Sequence, residues 1–488
     1  MTSVAVIGAG FGGLAMAVAL RRAGITSFVV FEKGDEVGGI WRDNDYPGAG
    51  CDVPSHLYSF SFEKYRSSTV RFPGQGEILD YLRGVADRYE LRRHLRTGTE
   101  VVAAEFDEAT SRWTVTTAAG ERLEFDVVVS AVGQLHRPFV PVIPGQEDFA
   151  GRAFHTTGWD HRLDLAGRHV AVIGTGSSAA QLLPLVAEQA GHVDVYQRTP
   201  NWVIPKPRRE FGRLSRWALS RVPGLHDLLR AGTYLAADLA LSPVITRGWS
   251  FRPARWLARA HLRRQVPDAD LRRRLTPDYP IGCKRIVIDN GFYPALTRPD
   301  VDLVTDGIER ITPDGVLTRS GERRRADVIV YATGFRATEF LVPMKVVGRG
   351  GRDLGERWAD GAEAYLGMAV PGFPNFFMVH GPNTILGHNS NVFMIECQVR
   401  YIMECLRLLP GAVEVTEEAM QTYGRWLARR MSRTVWPAGC RSWYKTEGGR
   451  VTNPWPAATM RYWRATSRGP RGAFRSGGQW QVPVPVSE

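Results

Sequence analysis

The chain has 488 residues, of which 44% are hydrophobic and 23% are charged, a balance typical of a globular protein with more than one core. This composition excludes a collagen, a coiled coil and a disordered chain. The 62 basic residues outnumber the 50 acidic ones and give a formal net charge of +12, which is compatible with nucleic acid, an anionic membrane surface or a phosphorylated ligand as partner.

The first nucleotide-binding pattern begins at the amino terminus. A β-branched run leads into GAGFGG at residues 8–13 and then into a helical run, which predicts a strand, a glycine turn and a helix. In this arrangement Gly8 allows a tight turn, Gly10 lets the backbone approach a pyrophosphate, and Gly13 permits close packing of the helix on the strand. The next predicted strand ends at Glu32, whose carboxylate can accept both ribose hydroxyls of an adenosine. The pattern therefore indicates FAD or NAD.

The pattern recurs at residues 170–179, where alanine replaces the third glycine. Its second strand ends at Arg198 instead of an acid. A carboxylate would repel a 2′-phosphate, whereas a guanidinium can pair with one through two hydrogen bonds, so the second unit indicates NADP. The alternative is that Arg198 is an ordinary solvated arginine. Strands are predicted at 126–131 and 327–331 as the last strands of the two units, and two dinucleotide folds imply electron transfer between two cofactors.

The predicted fold class is α/β, with two Rossmann-like dinucleotide-binding domains, for FAD and NADP, and a helical insertion in the second. We assign residues 1–140 to the first part of the FAD domain, and the proline-rich stretch 138–144 to the link between the domains. Residues 141–370 form the predicted NADP domain, with the helical insert at 206–275. Residues 371–488 are expected to return to the FAD domain.

Three further stretches complete the prediction. In the insert, arginines alternate with apolar residues. Such a segment can touch an anionic membrane, but the interpretation we favour is a helix face exposed to solvent. Residues 391–409 place apolar side chains near one helical face, as in a core helix. The tail from Ser467 onward is expected to be loosely ordered.

The five cysteines are scattered, without a CxxC pair or a nearby pair of histidines. This spacing argues against a disulfide framework and against a zinc site, so we predict no bound metal and expect a bacterial cytoplasmic protein. The apolar stretch 234–245 contains Asp238 and Pro243 and is shorter than the ~20 residues that span a bilayer. We therefore expect no integral membrane segment.

Three motifs between and beyond the glycine turns carry a family resemblance. Residues 149–160 read FAGRAFHTTGWD, which is FxGxxxHxxxW followed by Asp. GGIWR at 38–42 is followed by YPG and then by Asp52, and PIGCKR ends at Arg285. Together they resemble type I Baeyer–Villiger monooxygenases, in particular the branch related to hydroxyacetophenone monooxygenases, from residue 4 to about 463. The fingerprint residues are Phe149, Gly151, His155, Trp159 and Asp160.

The resemblance implies an enzyme that uses FAD, NADPH and O2 to insert one oxygen atom beside the carbonyl of a small hydrophobic ketone, giving an ester or lactone. The family's oxidant is a C4a-peroxyflavin anion, which needs a fixed positive partner in a pocket of low dielectric. Arg285 matches the family's active-site arginine, and Asp52 matches the aspartate that orients it. The alternative for Asp52 is an acid that caps a turn.

The resemblance also assigns the cofactor contacts. Lys284 and Arg198 are expected to hold the 2′-phosphate of NADP, and Trp443 to cover the nicotinamide ribose, unless it is an ordinary buried aromatic. His155 is expected either to couple domain movement or to be structural. The FAD contacts are Gly8, Gly10, Phe11, Gly13, Glu32, Gly39, Trp41, Asp52, Tyr58, Val101 and Asn391. The NADP contacts are Thr175, Gly176, Ser177, Ser178, Gln181, Arg198, Thr199, Lys284, Arg285 and Trp443.

Three other classes of protein compete with this interpretation. The sister flavin monooxygenases oxygenate sulfur or nitrogen and share FxGxxxH, but they usually carry a smaller aromatic at the position of Trp159. A flavin-dependent disulfide reductase would need a redox cysteine pair beside the flavin, and a nucleic-acid or membrane binder would use the +12 charge. We expect no nucleic-acid partner. The residues leave the ketone open among linear, cyclic, aryl, steroid and polyketide-like classes, and they leave the oligomeric state open.

Overall fold

Two parallel β-sheets, each built around a strand that ends in a glycine turn, organise the chain. The computed structural model describes residues 2–65, 70–207, 210–437, 439–470 and 472–476. The elements up to residue 130 are β1 (Val4–Ile7), α1 (Phe11–Arg22), β2 (Phe28–Phe31), α2 (Ile40–Asp43), α3 (Gln75–Arg88), β3 (Leu95–Arg96), β4 (Val101–Asp107), β5 (Arg112–Thr117), β6 (Arg122–Phe125) and β7 (Val127–Ser130).

The second and third parts of the chain continue this order. From residue 152 to 331 the elements are β8 (Arg152–His155), β9 (His169–Ile173), α4 (Ser177–Gln189), β10 (His192–Tyr196), β11 (Val203–Ile204), α5 (Arg213–Arg221), α6 (Leu225–Ile245), α7 (Phe251–Gln265), α8 (Ala269–Arg274), β12 (Val287–Ile288), α9 (Phe292–Leu296), β13 (Val301–Val304), β14 (Ile308–Thr312), β15 (Gly315–Thr318), β16 (Arg323–Arg325) and β17 (Val328–Tyr331). Beyond them lie β18 (Lys345–Val347), α10 (Leu354–Arg357), β19 (Phe376–Met378), α11 (Asn391–Leu406), β20 (Val413–Val415), α12 (Glu417–Met431), α13 (Thr459–Ser467) and β21 (Phe474–Ser476).

The first sheet has the strand order β3-β2-β1-β7-β19, and all its pairs are parallel. Strands β1 and β7 are fully buried apolar runs, as expected for a parallel sheet that is covered on both faces. Helices α1 and α11 pack on one face, and the sheet β18-β4-β5-β6 supplies the other cover, with Trp113 against Ala5 and Val128 in one core.

The second sheet repeats this plan with the order β13-β10-β9-β17-β8. Its central strand β9 precedes the second glycine turn and pairs in parallel with β10 and β17. Helices α4 and α9 pack on one side of this unit, and the three-stranded sheet β14-β15-β16 contributes Ile311 and Val316 to the core on the other. The predicted α/β fold with two Rossmann-like units is confirmed.

The chain returns to the first unit earlier than the sequence indicated. Strand β18 pairs in parallel with β4, with Lys345 opposite Ala103, and β19 then adds to the edge of the first sheet beside β7. The predicted boundary at residue 371 is therefore too late. Residues 138–144 and 371–374 are both proline-rich, which made each of them a plausible domain boundary. Proline content does not reveal that the short strand β18, which precedes the second stretch, joins the sheet of the first unit.

The predicted helical insert consists of α5, α6, α7 and α8. Helix α6 is 21 residues long, longer than the apolar stretch 234–245 suggested. By length and composition alone it is apolar enough to cross a membrane. Only about a fifth of its most apolar window is buried in the protein. One face is nevertheless fixed internally, because the buried Asp238 accepts hydrogen bonds from the backbone nitrogens of Thr459, at 2.7 Å, and Met460, at 3.2 Å.

Two expectations about the rest of the chain are wrong. Cys283 and Cys440 form a disulfide across 157 residues, with 6.4 Å between their Cα atoms; short-range spacing could not reveal a pair so distant in sequence. The tail is also partly ordered, because β21 pairs with β20 and buries Phe474. Residues 477–488 lie outside the described residues.

Candidate active site

One cavity of about 1970 Å³ joins the two glycine turns. This volume is roughly twice that of the largest common small-molecule pockets, at ~1,000 Å³, so the cavity is large enough for more than one ligand. Its wall includes Gly8 and Gly10 after β1, Gly174 and Gly176 after β9, and Arg285 from the segment that precedes β12. Ligands of doubly wound α/β folds bind at such carboxyl ends of parallel strands.

Almost all of the predicted cofactor contacts lie in this wall. Gly13 is the exception: a Cβ atom there would lie 1.8 Å from the carbonyl oxygen of Gly8, so this residue packs α1 on β1, as predicted. The predicted residues that line the cavity are Gly8, Gly10, Phe11, Glu32, Gly39, Trp41, Asp52, Tyr58, Val101, Thr175, Gly176, Ser177, Ser178, Gln181, Arg198, Thr199, Lys284, Arg285, Asn391 and Trp443.

The first glycine turn is shaped for a close backbone approach. Gly8 has a φ of +103°, and a Cβ atom there would lie 2.7 Å from the carbonyl oxygen of Ala131, so only glycine fits. The buried Glu32 accepts hydrogen bonds from the backbone nitrogens of Ala9, at 2.8 Å, and Gly34, at 2.9 Å. Its carboxylate is thus held at the end of β2, on the cavity wall, where acceptors for a ribose diol are needed.

The second glycine turn leaves open space where a phosphate would need it. Gly174 has a φ of +117°, and a Cβ atom on Gly176 would meet no atom within 4 Å. The amino terminus of α4 follows directly at Ser177, and the backbone N–H groups and dipole of a helix start favour an anion. These residues therefore fit a dinucleotide pyrophosphate.

Two cations lie together at the outer end of this second turn. The exposed Arg198 lowers the pKa of the neighbouring Lys284, in the same direction as the larger effect of burial. The Lys284 ammonium donates a hydrogen bond to Thr199 and lies 4.8 Å from the centre of the Tyr279 ring. A 2′-phosphate would relieve the repulsion between the two cations, so the pair fits NADP.

Arg285 and Asp52 form an ion pair in the cavity wall. The Nη2 atom of Arg285 donates to both carboxylate oxygens of Asp52 at 2.8 Å. Burial acts to raise the pKa of Asp52, but the charge and hydrogen bonds of Arg285 outweigh it and hold this pKa below its usual value. Asp52 in turn raises the pKa of Arg285 despite its burial. Both groups are therefore charged at neutral pH.

The YPG segment connects the two units beside this pair. The Tyr46 hydroxyl donates to Oε1 of Gln181 at 2.8 Å, and Nε2 of Gln181 donates to the carbonyl oxygen of Gly50 at 2.9 Å. A Cβ atom on Gly48 would lie 2.4 Å from the carbonyl oxygen of Gln181. Gln181, which sequence comparison connected only with NADP, therefore also fixes the segment that carries Asp52.

Trp443 lies on a segment that is tied to the arginine segment. Its ring centre is 4.3 Å from that of Tyr444, which is buried and close enough to Arg285 to affect its pKa. The disulfide connects Cys440 with Cys283, two residues before Arg285. The two segments that the sequence connected with the nicotinamide and with the reaction are thus covalently linked. Neither cysteine of this pair lines the cavity, so the arrangement expected of a disulfide reductase is not found there.

The fingerprint lies outside the cavity wall, on β8 and on the segments just before and after it. His155 is buried and its Nε2 atom is 3.0 Å from the carbonyl oxygen of Gly334, a cavity residue. Burial lowers the pKa of His155. Trp159 packs edge-on against Phe154 at 5.3 Å, whereas Asp160 caps the following turn by accepting from the nitrogen of Arg162. Phe149 joins the core, and a Cβ atom on Gly151 would lie 2.3 Å from the carbonyl oxygen of Asp327.

The sequence patterns assigned no role to His380 or Gln134. His380 lines the cavity with its Nε2 atom buried and without a partner among the described residues, and burial lowers its pKa to about 4. Gln134 is buried and donates from Nε2 to the carbonyl oxygens of His380, at 2.7 Å, and Gly381, at 2.8 Å. The nearest sequence signal was the stretch Gly381-Pro382-Asn383, which begins three residues after the end of β19.

This geometry defines a class of protein, a flavoprotein that uses two dinucleotides. Residues 5–227 match the profile of the family described as pyridine nucleotide-disulphide oxidoreductase. The chain is 42% identical over 476 residues to a Baeyer–Villiger monooxygenase of Pseudomonas aeruginosa, covering 95% of this chain and 89% of the relative. It is 43% identical over 471 residues to one of Streptomyces coelicolor, with 95% and 91% covered.

Solved structures agree with these relatives. An oxidised steroid monooxygenase bound to NADP superimposes with a TM-score of 0.84 at 33% identity, covering 96% of this chain and 97% of that one. A cyclohexanone monooxygenase from Rhodococcus sp. Phi1 bound to NADP⁺ gives a TM-score of 0.85 at 30% identity, with 96% of each chain covered. The chain belongs to the Baeyer–Villiger monooxygenases. It is an enzyme of the FAD- and NADP-dependent oxygenase class.

Proposed function

We propose that this enzyme oxygenates a hydrophobic ketone in the shared cavity, with Arg285 as its catalytic cation and Asp52 as the residue that positions it. The observation that carries this proposal is the double hydrogen bond from Arg285 to Asp52 in the wall that both glycine turns share. A guanidinium held in this way by one carboxylate keeps other N–H groups free to donate hydrogen bonds to a ligand in the cavity.

The residues divide the work between the two cofactors. When bound, FAD supplies the activation of O2 and NADPH supplies the hydride. The first glycine turn and Glu32 hold the adenosine end of FAD, and Arg198 with Lys284 hold the 2′-phosphate of NADPH. Gln181 and Tyr46 keep the two units in register, because they bridge the second helix start and the segment of Asp52.

Arg285 stabilises negative charge as it develops during oxygen insertion. Its guanidinium remains protonated at any working pH, since Asp52 raises its pKa further. As an oxygen nucleophile adds to the ketone, the carbonyl oxygen becomes negative, and a preorganised cation in a cavity of low dielectric lowers the energy of that adduct. Asp52 stays ionised and fixes the orientation of the guanidinium, which limits the reorganisation needed during the reaction.

The walls of the remaining space indicate an apolar substrate. The insert contributes Ala237, Leu241 and Val244 to the cavity, side chains that exclude water and offer no hydrogen bond. The structural neighbours are named for a steroid and for cyclohexanone. We propose a hydrophobic ketone, whose class among linear, cyclic, aryl and steroid ketones the following panel determines.

The tests of this proposal are product analysis and one variant. The purified holoenzyme, supplied with NADPH and O2, is given linear, cyclic, aryl and steroid ketones beside a thioether, and we expect esters or lactones. A sulfoxide as the sole product would favour the sister class of sulfur- and nitrogen-oxygenating enzymes. Arg285→Ala should still reduce its flavin with NADPH yet form no ester, and ketone oxygenation by this variant would contradict the role of Arg285.

We also propose a domain division and a cellular location. The FAD unit comprises residues 1–140 and the chain from about 340 onward, and the NADP unit comprises the region between them. The two relatives described above are bacterial, and we propose that the enzyme works in the bacterial cytoplasm. Limited proteolysis tests the domain division. Cleavage in the stretch 138–144 should give two fragments that stay associated, because strands from both belong to the first sheet.

A further inference from the structure

We propose that the helical insert, residues 206–275, docks on an anionic lipid bilayer and lies along its surface. The insert has 16 basic and five acidic residues, a net charge of +11, whereas the rest of the chain has 46 basic and 45 acidic residues. Nearly all of the net charge therefore belongs to one seventh of the chain. A charge of this density is attracted to a surface of anionic head groups.

The same segment carries most of the exposed large apolar side chains. Ten of the fifteen large apolar side chains that are exposed in the described part of the chain belong to the insert. Such a concentration marks an interaction surface, because single exposed apolar residues are ordinarily scattered. The ten residues are Leu214, Trp217, Val222, Leu228, Leu235, Leu239, Leu241, Trp249, Trp256 and Leu257.

Helix α7 combines both properties on one face. Arg252, Arg255, Trp256 and Arg263 recur at helical spacing and are exposed, whereas His261 on the opposite face is buried. The three arginines form no ion pair with any of the described residues. A row of arginines with a tryptophan that is 72% exposed is the pattern of a helix that lies in the interface of a bilayer.

Helix α6 adds a purely apolar face. Leu228, Leu235 and Leu239 are exposed and share one side of the helix, since they are seven and eleven residues apart. Asp238 is buried and hydrogen-bonded inside the protein. The helix is therefore fixed to its own protein along one side, so it can touch a bilayer but not cross it.

The positive charge and the exposed leucines together indicate which partner binds the insert. A second copy of the insert would bring +11 against +11, which disfavours self-association. A nucleic acid would engage the arginines but not three leucines, whereas the interface of an anionic bilayer satisfies both. Because other residues of α6, such as Ala237 and Val244, line the cavity, this contact would also bring the cavity close to membrane-dissolved ketones; that last point rests on the proposed function.

Co-sedimentation with vesicles tests the proposal without any measurement of activity. The holoenzyme is mixed with vesicles of phosphatidylcholine alone or with added phosphatidylglycerol, at low and high salt. We expect binding that requires phosphatidylglycerol and weakens with salt. Equal binding to both kinds of vesicle, or none to either, would overturn the proposal, and neither result would affect the assignment of the oxygenase.

Variants locate the contact. The triple variant R252A/R255A/R263A should weaken binding roughly a hundredfold, the loss expected when three arginines leave an anionic surface, and L235S/L239S should also weaken it. The matched control R93A/R122A/R323A removes three exposed arginines from elsewhere and should change little. An equal loss in the control would contradict the proposed surface.

Two other results would identify a different partner. A shift of oligomeric state in L235S/L239S without lipid would identify a second copy of the chain, and oligonucleotide binding lost only in the arginine variant would identify nucleic acid.

Discussion

Arg285 and Asp52 show how two residues 233 positions apart make one functional group. Each alone would be costly to bury, and together they remain ionised because each stabilises the charge of the other. Their motifs were visible in the sequence, but the two equal distances of 2.8 Å follow from the packing of the YPG segment on Gln181. The sequence could not supply that contact, because it joins different units.

Asp52→Asn tests the positioning role of the carboxylate. The amide keeps one acceptor but loses the charge, so the guanidinium should lose its fixed orientation. We expect kcat for ester formation to fall roughly 10- to 100-fold, as for other supporting groups, while flavin reduction by NADPH is unchanged. Equal losses in both half-reactions would point to a structural defect instead.

The pH dependence of the pair has a definite sign. The pKa of Asp52 is lowered in the folded enzyme, so its contribution to stability is complete above the unfolded value of about 3.9 and is lost as the pH falls through the lower folded value. Urea unfolding should therefore show Asp52→Asn to be less stable than the parent at neutral pH. The difference should shrink below about pH 4; a difference that grows in acid would contradict the assigned direction.

Arg198 has its own test in cofactor choice. Arg198→Ala should raise the KM for NADPH roughly tenfold or more, since a charge-assisted pair to phosphate is lost, and should leave the KM for NADH nearly unchanged. Steady-state oxidation of both nucleotides measures this directly. If the two constants rise equally, Arg198 is a surface arginine and the 2′-phosphate is bound elsewhere.

At the scale of elements, the sequence predicted the strands and helices that bear the cofactor motifs, because each combines an apolar run with a glycine turn. It could not predict β18, whose three residues carry no distinctive pattern, or the full length of α6. The sequence could not predict the Cys283–Cys440 disulfide either, since the chain between the two cysteines completes the second unit and returns to the first.

The disulfide predicts a behaviour of the Trp443 segment. In C283S/C440S this segment loses its covalent link to the segment of Arg285, so we expect the KM for NADPH to rise roughly tenfold while FAD content is unchanged. Dithiothreitol should have the same effect on the parent enzyme and none on the variant. An effect of dithiothreitol on the variant would show that the reagent acts on a target other than this disulfide. Thiol labelling of protein from intact cells tells whether the disulfide is formed there, because a reducing cytoplasm disfavours the bond.

At the scale of the whole molecule, two Rossmann-like units enclose one cavity, and an inserted helical segment carries nearly all of the net charge. The net charge of +12 first suggested several partners. The structure separates that charge into a few cations at the cavity and a basic, apolar surface on the insert. We propose that the cations serve the cofactors and the reaction, and that the surface on the insert places the enzyme at a membrane.

The most direct test of the central claim is the origin of the inserted oxygen. The holoenzyme, NADPH and a ketone that the panel identifies are incubated under ¹⁸O2, and the product is analysed by mass spectrometry. We expect an ester or lactone that contains one ¹⁸O atom, at the new bridging position and not at the carbonyl, and none of this product from Arg285→Ala. Consumption of NADPH with hydrogen peroxide as the sole product for every ketone, or ester without the label, would contradict it.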